Sequence, residues 1–293
     1  MTELNDRAQK APDANAQAAS ERLAHETLPT PPRTTDVEGR ECKRQPGQNE
    51  IPTLQPGKES NGCDYQNFGA ARPGNEQMPP FNTRELYDQA KGNTVRILTP
   101  FTDGHKTQDG QGSGVVAGKS DKECYVATVD HNVSTTKNVG LEVKGTPKVV
   151  MPNGKEYPAE VKLREPGNDR ALLAVKTGMD TANVCNPAKF ADQPEAGNGL
   201  TAGFPGDSKS LYGSPTEYTG IHKSKPQSNF PPVLTENKAH GMPGNSGGPM
   251  FTPSGKVYSL VEGPAGGGRK FNSTLRGTPI TDTDVKNWME QVR

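Results

Sequence analysis

From about residue 93 onward, apolar residues come in short runs broken by glycine, proline and asparagine, a pattern that predicts many short strands. Val95 and Ile97 alternate with polar neighbours, as a strand with one buried face requires. Further runs follow at Cys124–Val129, Leu141–Val143, Lys148–Met151, Tyr157–Leu163, Ala171–Val175, Leu200–Ala202, Val233–Leu234 and Val257–Val261. Asn153-Gly154 is the strongest hairpin signal, because both residues tolerate positive φ. Such a series predicts a β-barrel or sandwich. A helix is expected on either side of it. The first has Asn82 as cap, Glu85 reaching back, and Phe81 with Leu86 as a hydrophobic staple; Gly92 should end it. The second closes the chain, with Thr281 or Asp282 as cap and Val285, Trp288, Met289 and Val292 on one face.

The front of the chain reads differently. Only 30% of the 293 residues are hydrophobic, with a mean hydropathy of −0.84, and the deficit is concentrated between Met1 and about Pro80. That stretch is rich in Pro, Gln, Asn, Glu and Ala. Apart from a short helical turn at Glu21-Arg22-Leu23-Ala24, nothing in it can build a core. The expected organisation is a disordered, low-complexity tail over 1–80 and one folded domain over 81–293. The tail could serve as interaction arm, pro-segment or spacer.

Charge excludes some classes of partner. Lys plus Arg and Asp plus Glu both number 34, so no general attraction to nucleic acid or anionic membrane is expected. No apolar run approaches the roughly 20 residues of a membrane span. Met1 through Arg7 lacks the apolar core of a signal peptide, which points to a cytoplasmic protein, with export by another route as the alternative. The four cysteines, Cys42, Cys63, Cys124 and Cys185, form no CxxC pair, so neither a zinc site nor any other metal is expected. Their redox state stays open. Gly112-x-Gly114 lacks the strand–glycine–helix setting of a nucleotide site.

The chemistry concentrates in Gly244-Asn245-Ser246-Gly247-Gly248-Pro249. A serine hydroxyl attacks a carbonyl only when a base takes its proton and when something receives the charge that develops on the carbonyl oxygen. Glycines beside the serine let the loop turn sharply and aim the amides of Gly244 and Ser246 at one point. The plain alternative is a Gly/Pro-rich surface turn. Upstream, the apolar run Tyr125–Val129 ends at Asp130-His131, and Asp169 precedes the run Ala171–Val175. Alone, His131 would be a satisfied histidine at a strand end and Asp169 a turn residue. Together, the order His, Asp, Ser matches that of chymotrypsin-type proteases.

On these residues the chain from about Leu86 onward resembles the HtrA/Deg branch of the trypsin-like serine proteases. Tyr87 through Ile97, Gly112-Ser113-Gly114-Val115-Val116 and Asn153 through Val161 are similar to that family's segments. Pro243 through Pro249, followed by Ser254-Gly255-Lys256-Val257, matches its serine segment in sequence and spacing. The resemblance implies a mostly-β, chymotrypsin-like double six-stranded barrel, with the site in the cleft between barrels. It further implies endopeptidase activity on polypeptide substrates without metal or cofactor, with His131, Asp169 and Ser246 as triad and Gly244 and Ser246 as oxyanion donors. Substrate would add as a strand along Ser259-Leu260-Val261. One departure is Asp130, where the family has a small or amide residue; it could compete with Asp169 for the imidazole, but strand alternation should turn it away. A second is that the chain closes soon after the protease segment, leaving no room for a PDZ domain.

Specificity is less defined. His240, six residues before Ser246, falls where such proteases place the base of the acyl-side pocket. A histidine there, with no aspartate, favours an acidic residue over Lys or Arg, unless it is simply an exposed loop residue. His25, His105 and His222 have no comparable setting. The alternative to an active endopeptidase is an inactive or autoinhibited protease fold used as a binding module, with the front segment occluding the cleft. Oligomeric state and substrate are not encoded legibly.

Overall fold

Each apolar run is too short to bury its own face, and the chain solves this by closing its strands into two rings. A computed structural model describes residues 50–52, 65–67, 83–135, 140–225, 230–265 and 272–292, all within the unit Arg33–Arg293. Within the stretch expected to be a tail, β1 (Glu50–Pro52) and β2 (Tyr65–Asn67) pair antiparallel, with Glu50 opposite Asn67. Phe81 and Asn82, Cys42 and Cys63, His25 and the Glu21–Ala24 turn lie outside the described residues.

Helix α1 (Thr83–Asn93) buries Leu86, Tyr87 and Ala90. Gly92 falls inside its last turn, and the chain passes directly into β3 (Thr94–Thr102). Then come β4 (Thr107–Lys119), β5 (Glu123–Thr128), the short β6 (Glu142–Val143), β7 (Lys148–Val150), β8 (Glu156–Glu165) and β9 (Arg170–Lys176). Strands β4, β5, β9, β8, β7 and β3 form a ring that closes through β3–β4 pairing, while β6 extends the end of β3. Val95, Ile97, Val116, Val126, Val149 and Leu173 fill its interior.

A four-residue helix, α2 (Thr181–Val184), follows β9. The Cα atoms of Cys124 in β5 and Cys185 just after α2 lie 5.6 Å apart, and the two are disulfide-bonded. The second ring is β10 (Asn198–Gly203), β11 (Tyr212–Lys223), β12 (Val233–Gly241), β13 (Pro249–Phe251), β14 (Val257–Pro264) and β15 (Asn272–Pro279), closed in the order β10-β11-β12-β15-β14-β13. Helix α3 (Asp282–Val292) ends the described chain. Thr281 is its cap: the Asp284 N–H donates to the Thr281 hydroxyl at 3.0 Å and the Thr281 N–H to the Asp284 carboxylate at 2.9 Å.

The largest apolar cluster lies between the rings and under both longer helices, with Leu86, Val115, Leu172, Leu200, Leu260 and Trp288 among its members. It sets the two barrels side by side, so that loops at their adjoining ends face one another.

Candidate active site

The first barrel contributes two of the expected residues. The chain leaves β5 through a 3-10 turn, Asp130–Asn132, that carries His131. Asp169 sits at the end of another such turn, Pro166–Asn168, just before β9. Because β5 and β9 are adjacent, with Thr128 opposite Ala171, the two turns meet. His131 Nδ1 is 2.8 Å from one Asp169 carboxylate oxygen, and the His131 backbone N–H donates to the other at 3.0 Å. Asp169 is buried and has φ 50° and ψ 48°, the one positive-φ non-glycine among the described residues. A left-handed residue outside glycine costs of order 1–2 kcal/mol, which aspartate tolerates better than most. Asn168 is pinned from the second barrel, where the Thr278 hydroxyl donates to its carbonyl at 2.6 Å.

Asp130 does not compete for the imidazole. Fully buried, it accepts two hydrogen bonds from Arg164 of β8, at 2.6 and 3.0 Å, and one from the Ser134 hydroxyl at 2.8 Å. The hydrogen bond to Asp130 holds the Arg164 guanidinium above its ordinary value. Strand alternation is not what turns Asp130 away; it lies in the 3-10 turn, and Arg164 fixes its direction.

The second barrel supplies Ser246, on the loop between β12 and β13. Gly244 and Gly247 have φ 97° and 81°, and a Cβ on either would overlap neighbouring carbonyls, of Phe204 and Ser113 respectively. Neither the Gly244 nor the Ser246 amide has a hydrogen-bond acceptor among the described residues. The loop is instead held from outside itself. The Ser113 N–H and the Asn132 side-chain amide both donate to the Ser246 carbonyl, at 2.8 and 2.7 Å. The Ser113 hydroxyl donates to the Gly244 carbonyl at 2.7 Å. Behind Gly244, the Gln111 side-chain amide donates to the carbonyls of Phe204, Gly206 and Ser208 at 3.0, 2.8 and 3.1 Å.

Together these elements enclose a cavity of about 220 Å³ whose walls include Phe101, Gln111, His131, Leu141, Gly244 and Ser246. The Ser246 hydroxyl donates to the Glu262 carbonyl at 3.4 Å. Thus His131, Asp169, Ser246 and Gly244 come together.

The remaining expected residues do not join them. Ser259, Leu260 and Val261 are buried in the middle of β14. Ser259 and Leu260 pair with Met250 and Pro249 on one side; all three pair with Pro279, Thr278 and Gly277 on the other. Val261 also exchanges backbone hydrogen bonds with Gly247 and Gly248. No edge is open there for an added strand. His240 is half-buried in β12, outside the cavity that holds Ser246, and its N–H donates to the Ser214 hydroxyl at 2.8 Å. Gln111, Asn132 and Thr278 escaped the sequence reading, and Ser113 entered it only as part of the Gly112–Val116 segment. Adjacency to the Gly112-Ser113-Gly114 segment and to His131 was the only signal for the first two. Among the described residues, no group of three or more His, Cys, Asp or Glu side chains is placed to hold a metal, and no helix is long and apolar enough to cross a membrane.

Known proteins resemble the chain. The serine protease Do-like HtrA of Bacillus subtilis is 26% identical over 181 residues, covering 59% of this chain and 38% of that protein, so the chain spans well under half of its relative's length. The Rv3671c protease of M. tuberculosis, in its active form, superposes with a TM-score of 0.54 at 20% identity, covering 71% of this chain and 83% of that one. The HtrA-type protease AlgW with a tripeptide gives 0.54 at 17% identity, over 71% and 62% of the two chains. These likenesses show a fold similar to that of HtrA-type proteases. The trypsin-like peptidase domain family matches residues 112–260, just over half of the sequence and the whole span from the β4 glycines past Ser246, and the chain belongs to it.

Proposed function

We propose that the protein is a serine endopeptidase in which Ser246 is the nucleophile, His131 the general base and acid, and Asp169 the group that orients the imidazole. Ser246 Oγ attacks the scissile carbonyl while His131 Nε2 takes its proton. The same proton then passes to the leaving amine, and water repeats the sequence to release the acyl group. Asp169 fixes the tautomer with Nδ1–H and stabilises the imidazolium. The amides of Gly244 and Ser246 receive the oxyanion; one such donor is worth about 10²–10³ in turnover. The observation that carries this reading is the double contact of Asp169 with both the ring and the backbone N–H of His131, in a turn whose histidine shares one cavity with Ser246 and Gly244.

On the acyl side we place the substrate strand beyond Val261, along Glu262–Pro264, where pairing with β13 has ended and β15 occupies one edge only. His240 stays the proposed residue for the acyl-side pocket, by its spacing from Ser246. Polypeptides are the proposed substrates, consistent with the tripeptide held by the AlgW relative. The buried Cys124–Cys185 bridge supports folding in an oxidising compartment, which favours the export alternative over the cytoplasm.

The test is labelling of the full chain by a fluorophosphonate, with Ser246→Ala as control. Labelling lost in the variant is expected, together with a fall of about six powers of ten in peptide turnover. An intact protein that takes up no label would refute the assignment.

A further inference from the structure

The cavity beside Ser246 lies on one particular side of the scissile bond. The acyl half of a substrate runs along the extension of β14 past Val261, and no residue of β14 lines the cavity. Its walls come instead from the imidazole that hands a proton to the leaving amine, from the Gly244 side of the serine loop, and from the β3–β4 hairpin with Leu141. The leaving half of the substrate therefore passes through it.

The chemistry of the walls defines what they accept. Three amide side chains line the cavity, Gln108 at the hairpin and Gln111 and Asn132, and the last two have committed their donors. The Gln111 amide is consumed by three carbonyls of the loop behind Gly244, so that the side chain presents its aliphatic stem. The Asn132 amide is consumed by Ser113 O, Thr128 Oγ1 and Ser246 O. Phe101 and Leu141 supply the apolar surface. The Phe101 ring occupies the space where Gly110 has no side chain: a Cβ there would lie 2.8 Å from two ring carbons. Apart from His131, no titratable side chain among the described residues lines the cavity, so a charged group entering it would be desolvated with no counter-ion among them. At about 220 Å³ the space admits a branched or aromatic side chain.

We infer that this cavity is a specificity subsite on the leaving-group side, selecting peptide bonds followed by a bulky, uncharged apolar residue, with Phe101 and Leu141 as its determinants. The inference rests on the peptidase reading above. The covalent step is ordinary acyl transfer: the Ser246 Oγ–acyl bond forms, the C–N bond breaks, and the proton taken by His131 leaves on the amine. The subsite acts by holding that amine's residue while this happens.

The experiment uses the full chain and a set of internally quenched peptides. These share the acyl side of a sequence found by mass spectrometry among cleavage products of a denatured protein, and differ only in the residue after the scissile bond: Gly, Leu, Phe, Asp or Lys. Burying a leucine-sized side chain predicts kcat/KM about tenfold higher for Leu and Phe than for Gly, with Asp and Lys lowest. Ratios between peptides cancel any difference in active fraction, so variants are compared by ratio alone. Phe101→Ala and Leu141→Ala should compress the Leu/Gly ratio toward one. Leu141→Glu should raise the Lys/Leu ratio, a gain that misfolding cannot mimic. A flat profile in wild type that labels with fluorophosphonate overturns the subsite and leaves the peptidase reading standing, as does a Lys/Leu ratio unmoved in Leu141→Glu. Failure of wild type to label at all overturns both.

Discussion

Gln111 offers the sharpest test of how the loop with the proposed oxyanion donors is held. Its side-chain amide has two N–H groups and meets three carbonyls at 2.8–3.1 Å, so one N–H is shared. Those carbonyls belong to the loop Phe204–Ser208, which in turn binds the nucleophile loop: the Gly206 N–H donates to Pro243 O at 2.7 Å, and Gly244 packs against Phe204 O with no room for a Cβ. Gln111→Met keeps the volume and deletes the donors. At about 0.5–1.5 kcal/mol per net hydrogen bond, the two to three lost bonds should cost about 1–4.5 kcal/mol of stability. If the loosened loop no longer aims the Gly244 amide, kcat loses the worth of one oxyanion donor, about 10²–10³-fold; partial misalignment gives about tenfold or more. KM should change less than kcat, because methionine keeps an apolar stem of similar length against the cavity. Gln111→Lys is the informative partner. An ammonium carries three donors for three carbonyls, so it should restore most of kcat, whereas Gln111→Glu, which brings oxygens toward oxygens, should not. The assay is steady-state cleavage of one quenched peptide by each variant, beside thermal unfolding. A methionine variant with lowered Tm but wild-type kcat would refute the clamp, leaving Gln111 a purely structural residue.

The turn carrying Asp169 has its own anchor, and it should be pH-sensitive. Arg170 bridges Glu165 of β8 and Asp284 of α3, with Trp288 Nε1 donating to Glu165 at 2.7 Å. Burial pushes both carboxyls up, but the Trp288 and Arg170 bonds at Glu165, and the Thr281 and Arg170 contacts at Asp284, outweigh it and hold both below the ordinary range. Depressed carboxylates stabilise the fold above their unfolded values, near pH 4, and that stability is lost as pH falls through their folded values. Asp284→Asn should therefore flatten the acid limb of a stability-versus-pH curve below about pH 4, measured by urea unfolding. The Cys124–Cys185 bridge spans 61 residues, so its removal by Cys124→Ala with Cys185→Ala should cost up to about 4 kcal/mol on the chain-entropy account. Denaturant midpoints check this, and a cost near zero would mean the thiols are not paired in solution.

The two barrels were unequally legible, and their cores explain why. The first is packed with Val, Ile and Leu, so its strands stand out as apolar runs; β5 and β9 were read to within a residue or two. The second buries a layer of hydroxyls and amides that satisfy one another. Thr201 and Thr216 share a hydrogen bond of 2.6 Å, Thr235 meets Ser259 at 2.9 Å, and the Tyr258 hydroxyl donates to Asn237 at 2.7 Å. Strands built this way show no hydrophobic alternation. So β11, with Ser-Pro-Thr at 214–216, and β15, with Thr274 and Thr278, left no trace in the pattern, and only the first residues of β12 did. Around the nucleophile loop the reverse held. Glycines forced by crowding and a histidine at a strand end are local signals that survive without tertiary information. What could not be read was every contact between distant parts of the chain: Asp130 to Arg164, within the first barrel, is already 34 residues apart, and Thr278 to Asn168, across the barrels, is 110.

Those crossing contacts have a direction that bears on how the site holds together. The nucleophile loop belongs to the second barrel, yet its carbonyls at Gly244 and Ser246 are bound by Ser113 and Asn132 of the first. The Asp169 turn belongs to the first barrel, yet Asn168 is bound by Thr278 and Arg170 reaches Pro279 O and Asp284 in the second half. Each barrel thus fixes the loop or turn that carries the other's proposed reacting groups. A ring that folded alone would carry its residues on a loop with unpaired carbonyls, and a misaligned donor costs far more in rate than in stability. Slight separation of the barrels, through loss of side chains such as Leu172 or Leu200 from the cluster between them, should therefore reduce turnover before it reduces helix or sheet content. The apolar interface positions the proposed catalytic groups as much as it stabilises the fold.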